Sequence, residues 1–274
     1  MSAQPASWLT GRRVLVPRGG AWGERVRALL AERGADAEIV PLIQTRPPRD
    51  TVARDRAFAA LSGGSYAWVF VTSAAAIEQL VAEGVRIPPR TRIAVVGHAT
   101  ARAVIDAGFA VDFVPTGASS AAAMTQQWCT AHVAADTGRA LVLRSDLAMA
   151  TVSDELEVRG FAVDVAIAYR TVGVDLPEAT VERIRAGAFD ATLLTSTSVV
   201  RELAHQVVTV PTTMVLAALG PGTAREAERR GYRVAVTAAT QTVTALVDAL
   251  NAVDVADRRP LSHTSTFPDT ETRP

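Results

Sequence analysis

Val14-Leu15-Val16-Pro17-Arg18 and Ala140-Leu141-Val142-Leu143-Arg144 are the same short apolar run ending on an arginine, 126 positions apart (18 and 144). The spacing persists downstream, since Arg33-Gly34 falls on Arg159-Gly160 and Thr45 on Thr171. Further on, Val71-Thr72-Ser73 aligns with Leu194-Thr195-Ser196 at a spacing of 123 (72 and 195), a three-residue deletion in the intervening loop. That spacing also carries Ala94-Val95-Val96-Gly97 onto Ala217-Ala218-Leu219-Gly220, Thr100-Ala101 onto Thr223-Ala224, Gly108-Phe109 onto Gly231-Tyr232 and Ser119 onto Thr242. Register held over such a distance reads as two copies of one unit.

Within each copy, short β-branched or apolar runs alternate with helical patterns. Strands are expected near Val14, Ile39, Val69, Ile93, Val111, Leu141, Val163, Leu193, Val215 and Val234. Such alternation means parallel sheets covered by helices. One helix is predicted from Glu24 to Arg33 with Val26, Leu29 and Leu30 inward, another from Thr242 with Val243, Leu246, Val247 and Leu250 on one face. Gly34, Gly108, Gly160 and Gly231 follow helical patterns as stop signals.

Composition fits that class. The 274 residues suffice for two domains. Hydrophobic residues make up 49% but aromatics only 5%, so Ala, Val, Leu and Ile must fill the interior, as in buried parallel sheets. Lys plus Arg and Asp plus Glu both number 28, so no global field draws nucleic acid or anionic membrane, and an anionic ligand must be held locally. The lone Cys129 and the four histidines have no metal-ligand spacing, and a reducing cytoplasm suits them. No signal segment or membrane span is legible, and the polar stretch 254–274 reads as a disordered tail.

The repeated chemical signal is a strand that ends in Thr-Ser or Gly and opens a helix at once. Thr72-Ser73, Gly97-His98-Ala99-Thr100, Thr195-Ser196 and Gly220-Pro221-Gly222-Thr223 have this form, and Ser119-Ser120 and Thr240-Gln241-Thr242 add two more. In a parallel sheet such turns lie at the carboxyl ends of strands, where free amides and the helix dipole favour anions. Ser and Thr are also ordinary helix caps, which accounts for any single turn; six of them suggest a ligand with several carboxylates or phosphates. Arg18 and Arg144, matched at strand ends, either supplement the turns or make surface ion pairs. Gly220-Pro221-Gly222 departs from a dinucleotide fingerprint, Arg225 standing at its third glycine, and a chain without lysine has neither a P-loop lysine nor a Schiff-base nucleophile. No Ser-His-Asp set or carboxylate dyad stands out.

Val69-Phe70-Val71-Thr72-Ser73, Val95-Val96-Gly97-His98-Ala99-Thr100-Ala101, Ala168-Tyr169-Arg170-Thr171-Val172 and Ala218-Leu219-Gly220-Pro221-Gly222-Thr223-Ala224 resemble the uroporphyrinogen-III synthase family in identity, order and spacing, over residues 11 to 250. The resemblance implies two flavodoxin-like lobes joined by a two-stranded connection. The repeat alone suggests a cut near Gly138. The resemblance instead places the crossings near Ile43 to Pro48 and Tyr169 to Val174, giving one lobe from 1–42 and 173–253 and another from 43–172.

The substrate so implied is hydroxymethylbilane, a linear tetrapyrrole with eight carboxylates that is cyclised with inversion of ring D, without cofactor or metal. A cytoplasmic monomer receiving its substrate from hydroxymethylbilane synthase is expected. Tyr169 is the expected catalytic group, a phenol able to hydrogen-bond or protonate the departing hydroxyl; its alternative is an ordinary strand aromatic packed across the hinge. Arg18, Thr72, Ser73, Gly97, Thr100, Ser119, Arg144, Ser145, Thr195, Ser196, Gly220, Pro221, Gly222 and Thr223 form the expected substrate-binding set. Ser145 stands where many relatives carry glycine. A non-catalytic two-lobed sensor for a polycarboxylate or phosphorylated ligand would keep the same turns, and a nucleotide-dependent transferase is a third reading.

Overall fold

The computed structural model describes residues 7–253, so the expected tail at 254–274 lies outside the described residues. In chain order the elements are β1 (Arg13–Arg18), α1 (Gly20–Ala31), β2 (Asp36–Arg46), α2 (Thr51–Ser62), β3 (Trp68–Val71), α3 (Ala74–Ala82), β4 (Arg92–Val95) and α4 (His98–Asp106). There follow α5 (Ala121–Ala131), α6 (Ala134–Thr137), β5 (Ala140–Ser145), α7 (Thr151–Val158), β6 (Val163–Gly173), α8 (Glu178–Arg185), β7 (Ala191–Leu194) and α9 (Thr197–Val207). Last come β8 (Val215–Ala218), α10 (Pro221–Arg229), β9 (Val236–Thr237) and α11 (Val243–Asn251). The strands are ordered β4-β3-β5-β6-β2-β1-β7-β8-β9, and every neighbouring pair is parallel except β2 with β6.

The strands read as unbroken apolar runs because successive side chains feed opposite faces and both faces are covered. Val69, Val71, Leu141 and Leu143 pack with α3 and α4 on one face, while Trp68, Phe70, Ala140 and Val142 meet Met124, Trp128 and Leu156 on the other. Across the antiparallel pair the division repeats: Leu15, Leu194 and Leu216 join α8 and α9, while Val14, Val16, Leu193 and Ala217 join α1 and α11. Helix α1 buries Val26 and Leu30, and α11 buries Leu246, Val247 and Leu250, the stripes their periodicity predicts. The four stop glycines adopt φ between 79° and 85°; at Gly34 this lets the chain turn from α1 into β2 without the clash a β-carbon would bring.

Two predicted strands differ. Around Val111 the chain forms only an isolated bridge, Phe113 with Ala94, and near Val234 the strand is displaced to Val236–Thr237. Both segments lie at sheet edges, where ladder pairing on one side gives little reason to stay extended.

The crossing positions everything that follows. Strand β2 first pairs with β1, as far as Arg18↔Ile43, then continues antiparallel against β6 through Ile43↔Gly173, Gln44↔Val172, Thr45↔Thr171 and Arg46↔Arg170. Strand β6 meanwhile pairs with β5 up to Ser145↔Tyr169. The carboxyl ends of both parallel sets therefore point at the shared ribbon from opposite sides. Four residue steps, from Ile43 to the position opposite Tyr169, at about 3.3 Å each separate the edges by roughly 13 Å along it. Gln206 ties one end of the ribbon to α9, donating to Val174 O at 2.9 Å and accepting from Leu176 N at 2.7 Å. Asp146 holds the other end, accepting from Thr171 N at 3.1 Å.

Two features give stability predictions. Exposed Val208 has φ 48°, ψ −56°, a tight turn closed by Thr209 N on Val207 O, which strains a β-branched residue by about 1–3 kcal/mol. Val208→Gly removes that strain and loses about 0.5–1 kcal/mol to backbone entropy. A higher urea midpoint is expected, and an unchanged or lower one would refute the strain.

Buried Glu226 on α10 accepts from Arg201 of α9 (3.0 Å) and from Arg230 (3.1 Å) and Arg229 (2.6 Å) of its own end. The Arg201 hydrogen bond above all, outweighing burial, holds its carboxyl below the usual range. Such a group stabilises fully above the unfolded Glu value of about 4.3 and loses that contribution as pH falls through the lower folded value. Glu226→Gln should therefore flatten the acid limb of a stability-versus-pH curve without shifting its alkaline limb.

Candidate active site

Five helices, α1, α3, α4, α9 and α10, begin within three residues of the carboxyl end of a strand, and α5 and α11 follow the edge segments near Phe113 and Thr237; their caps fall into two kinds. At Ser73, Ser120, Ser196 and Thr242 the hydroxyl accepts from the amide three residues on, Ala76, Ala123, Val199 and Ala245 respectively. These hydroxyls serve as caps first, each stabilising its helix by about 1 kcal/mol. At Gly97, Gly220 and Gly19 there is no side-chain cap, so the first-turn amides stay open to an anion. Pro221 opens α10 in the position where its missing N–H costs nothing. Thr100 and Thr223 occupy the third position of α4 and α10 and are both buried.

Gly97 is required by a close approach: a β-carbon there would lie 2.6 Å from Ser119 Cβ. Gly220 meets Gln241 similarly, its β-carbon falling 3.0 Å from Gln241 Cγ. The cap equivalent to Thr242 is thus Ser120, one position after the expected Ser119, while Ser119 closes over Gly97. A serine directly preceding an alanine-rich helix was the legible signal for Ser120.

Tyr169 is buried among Val71, Leu143 and Ala168, and its hydroxyl shares a 2.9 Å hydrogen bond with Ser73 Oγ. Strand β5 lies between β3 and β6, so its following loop leaves the sheet between these two residues, with Asp146 N donating to Tyr169 O at 3.1 Å. Tyr66 bonds Asp164 instead, at 2.8 Å, and burial followed by that bond pushes it up to about 12. The Tyr232 hydroxyl is buried and has no partner among the described residues.

From the opposite edge comes Arg18, at the end of β1. Its guanidinium lies 4.9 Å from the Trp22 ring centroid and, among the described residues, makes no hydrogen bond or ion pair. Burial lowers its pKa, against the opposing pull of Glu78 and Tyr169, so these side chains of the far edge fall within its electrostatic reach. Gly23 lets α1 pass close by, because a β-carbon there would strike the Arg18 carbonyl oxygen. Glu78 and Trp22 carry no motif, and only folding brings them to Arg18.

The remaining expected residues are engaged otherwise. Arg144 donates Nη1 to Ala148 O, leaving its buried Nε unpaired. Thr72 gives its hydroxyl to Leu143 O at 3.2 Å, and Thr195 Oγ1 is buried unpaired. Ser145 sits at a register shift between β5 and β6 beside Tyr169. Gly222 stands open, since a β-carbon added there would meet nothing within 4 Å beyond its own turn of helix. Far from this edge, a hollow lined by Arg13, Asp36, Glu38 and Arg183 has its charges paired internally, Arg183 to Glu38 at 2.6 Å and Arg13 to Asp36 at 3.5 Å. Among the described residues no cluster of His, Cys, Asp or Glu is arranged to hold a metal, and no helix is long and apolar enough to cross a membrane.

Solved structures share this architecture. A mutant uroporphyrinogen III synthase from the extreme thermophile Thermus thermophilus is 18% identical and matches over 88% of this chain and 97% of its own, with a TM-score of 0.57. The Helicobacter pylori uroporphyrinogen-III synthetase is 15% identical over 86% of this chain and 97% of its own, with a TM-score of 0.56. At such identities the likeness speaks for the fold. No curated protein sequence gives a significant match. The family model for uroporphyrinogen-III synthase HemD, however, matches residues 24–248, most of the chain, reaching from α1 to α11. This chain belongs to the uroporphyrinogen-III synthase family.

Proposed function

We propose that the protein is a uroporphyrinogen-III synthase, closing hydroxymethylbilane to uroporphyrinogen III with inversion of ring D. The observation that carries this reading is the pair of facing carboxyl edges, with Tyr169 and Ser73 on one and unpaired Arg18 on the other. A polycarboxylate fits open amides at Gly97, Gly220 and Gly19 together with one arginine, without any need for a basic protein.

In the proposed reaction Tyr169 gives its proton to the substrate's terminal hydroxyl, which leaves as water and generates an azafulvenium cation. Ring D attacks through its substituted carbon to form a spiro intermediate, which fragments and recombines in the inverted sense. The proton lost as the last pyrrole regains aromaticity returns to the tyrosinate, so the sum is substrate to macrocycle plus water. Ser73 orients the phenol, and the edges hold the chain folded so that direct closure to the other isomer loses.

We further assign residues 1–42 and 173–253 to one lobe and 43–172 to the other. The four apolar clusters support this, since each draws its buried members from one side of the ribbon only. The enzyme so read works as a cytoplasmic monomer, without cofactor, on substrate released by hydroxymethylbilane synthase. The test is to generate hydroxymethylbilane in situ, add the protein, oxidise the products and separate the uroporphyrin isomers. Dominant type III product is expected. Type I at the level of the protein-free control would leave a binding module in its place.

A further inference from the structure

The loop after β5, residues 146–150, combines a fixed backbone with apolar side chains left in water. Asp146 N donates to Tyr169 O, Asp146 Oδ1 accepts from Thr171 N, and Ala148 N donates to Ser145 O at 3.3 Å. Arg144 reaches over to Ala148 O, and Ala150 O accepts from Ser153 Oγ at 2.9 Å as α7 begins. Between these anchors Leu147 is 54% exposed and Met149 82%. A loop pinned on alternate residues presents its side chains with little left to order on binding. Large apolar groups fixed beside a site mark a contact surface rather than slack.

Their position limits what that surface meets. The loop leaves the sheet between Ser73 on β3's turn and Tyr169 on β6, directly beside the bond joining those residues. The turns at this edge offer Ser, Thr, Gly and amide groups, which suit carboxylates but leave the face of an aromatic ring uncovered. A flexible thioether and a branched aliphatic chain suit such a face.

We propose that Leu147 and Met149 form an apolar rim that packs on a pyrrole ring of the bound tetrapyrrole and holds its reacting end against Tyr169. This rests on the function proposed above. The rim thereby helps decide which isomer forms, because a reacting end free to rotate closes directly.

The test compares the full-length protein with a Leu147→Asn/Met149→Gln double variant, which keeps side-chain size and removes apolarity. Because both side chains are exposed, an unchanged melting temperature is expected. With chemically supplied hydroxymethylbilane, KM should rise roughly tenfold from lost apolar contact and the type I fraction should increase. Unchanged KM and isomer ratio would overturn the proposal while leaving the function intact. A defect seen only when the upstream synthase supplies substrate would overturn it too, in favour of a protein-docking role. If the unaltered protein forms no excess of type III, the functional reading itself fails. Fluorescence titration with uroporphyrin III then reads the rim alone: weaker binding by the double variant supports it, and equal binding sinks it.

Discussion

Tyr169→Phe should lower kcat for type III product by about 10²–10⁴-fold, the usual contribution of a positioned general acid. KM should change little, because the ring stays packed among Val71, Leu143 and Ala168 and only the oxygen is lost. Ser73→Ala should act more gently. It leaves the phenol in place without its 2.9 Å partner and removes the cap of α3, costing about 1 kcal/mol of stability. Tyr66→Phe is the matching control, since that hydroxyl is committed to Asp164. If single-turnover rates for Tyr169→Phe equal those of the parent, the phenol is a packing group and the leaving hydroxyl takes its proton elsewhere.

Arg18→Met should raise KM about 10–100-fold, the worth of one hydrogen-bonded charge pair to a substrate carboxylate. The same change should leave the free protein as stable as before or more so. The guanidinium is half-buried against Trp22 and, among the described residues, makes no hydrogen bond or ion pair; its burial already lowers its pKa, and methionine fills similar space without a desolvation cost. Opposite signs in affinity and stability separate a ligand-binding arginine from a structural one. A variant that melts clearly lower and binds uroporphyrin III normally would show that Arg18 serves the fold. Gly23→Ala offers a second route to the same point, because it pushes on the Arg18 backbone from α1 without touching the charge.

Much of this site was legible before folding. The Thr-Ser and Gly turns after β3, β4, β7 and β8 start helices where the pattern put them, since a cap and an apolar run are both local signals. Chemistry was less legible than position. Ser73 and Ser196 spend their hydroxyls on caps, and the amides beside Gly97 and Gly220 carry the open donors, a division that depends on which atom each oxygen meets in three dimensions. The one-position slip from Ser119 to Ser120 has the same origin, because the repeat fixes spacing only to within a loop's tolerance.

The sequence by itself determined that two copies of an α/β unit are present, where strands and helices alternate and which faces are buried. Those properties follow from the period of apolar residues and from the backbone freedom of Gly34, Gly108, Gly160 and Gly231. The repeat by itself would have cut the chain near Gly138. The family resemblance moved the crossings to residues 43–48 and 169–174. The tertiary structure supplied what neither carried, the sense and register by which β2 runs on past β1 to pair antiparallel with β6, Thr45 opposite Thr171. That pairing turns two separate carboxyl edges toward each other and brings Arg18 within electrostatic reach of Tyr169. The physical reason is that an apolar pattern encodes how much of a strand is buried, whereas the choice of neighbour is made by hydrogen bonds every backbone can form, and their energies differ only once the whole sheet has assembled.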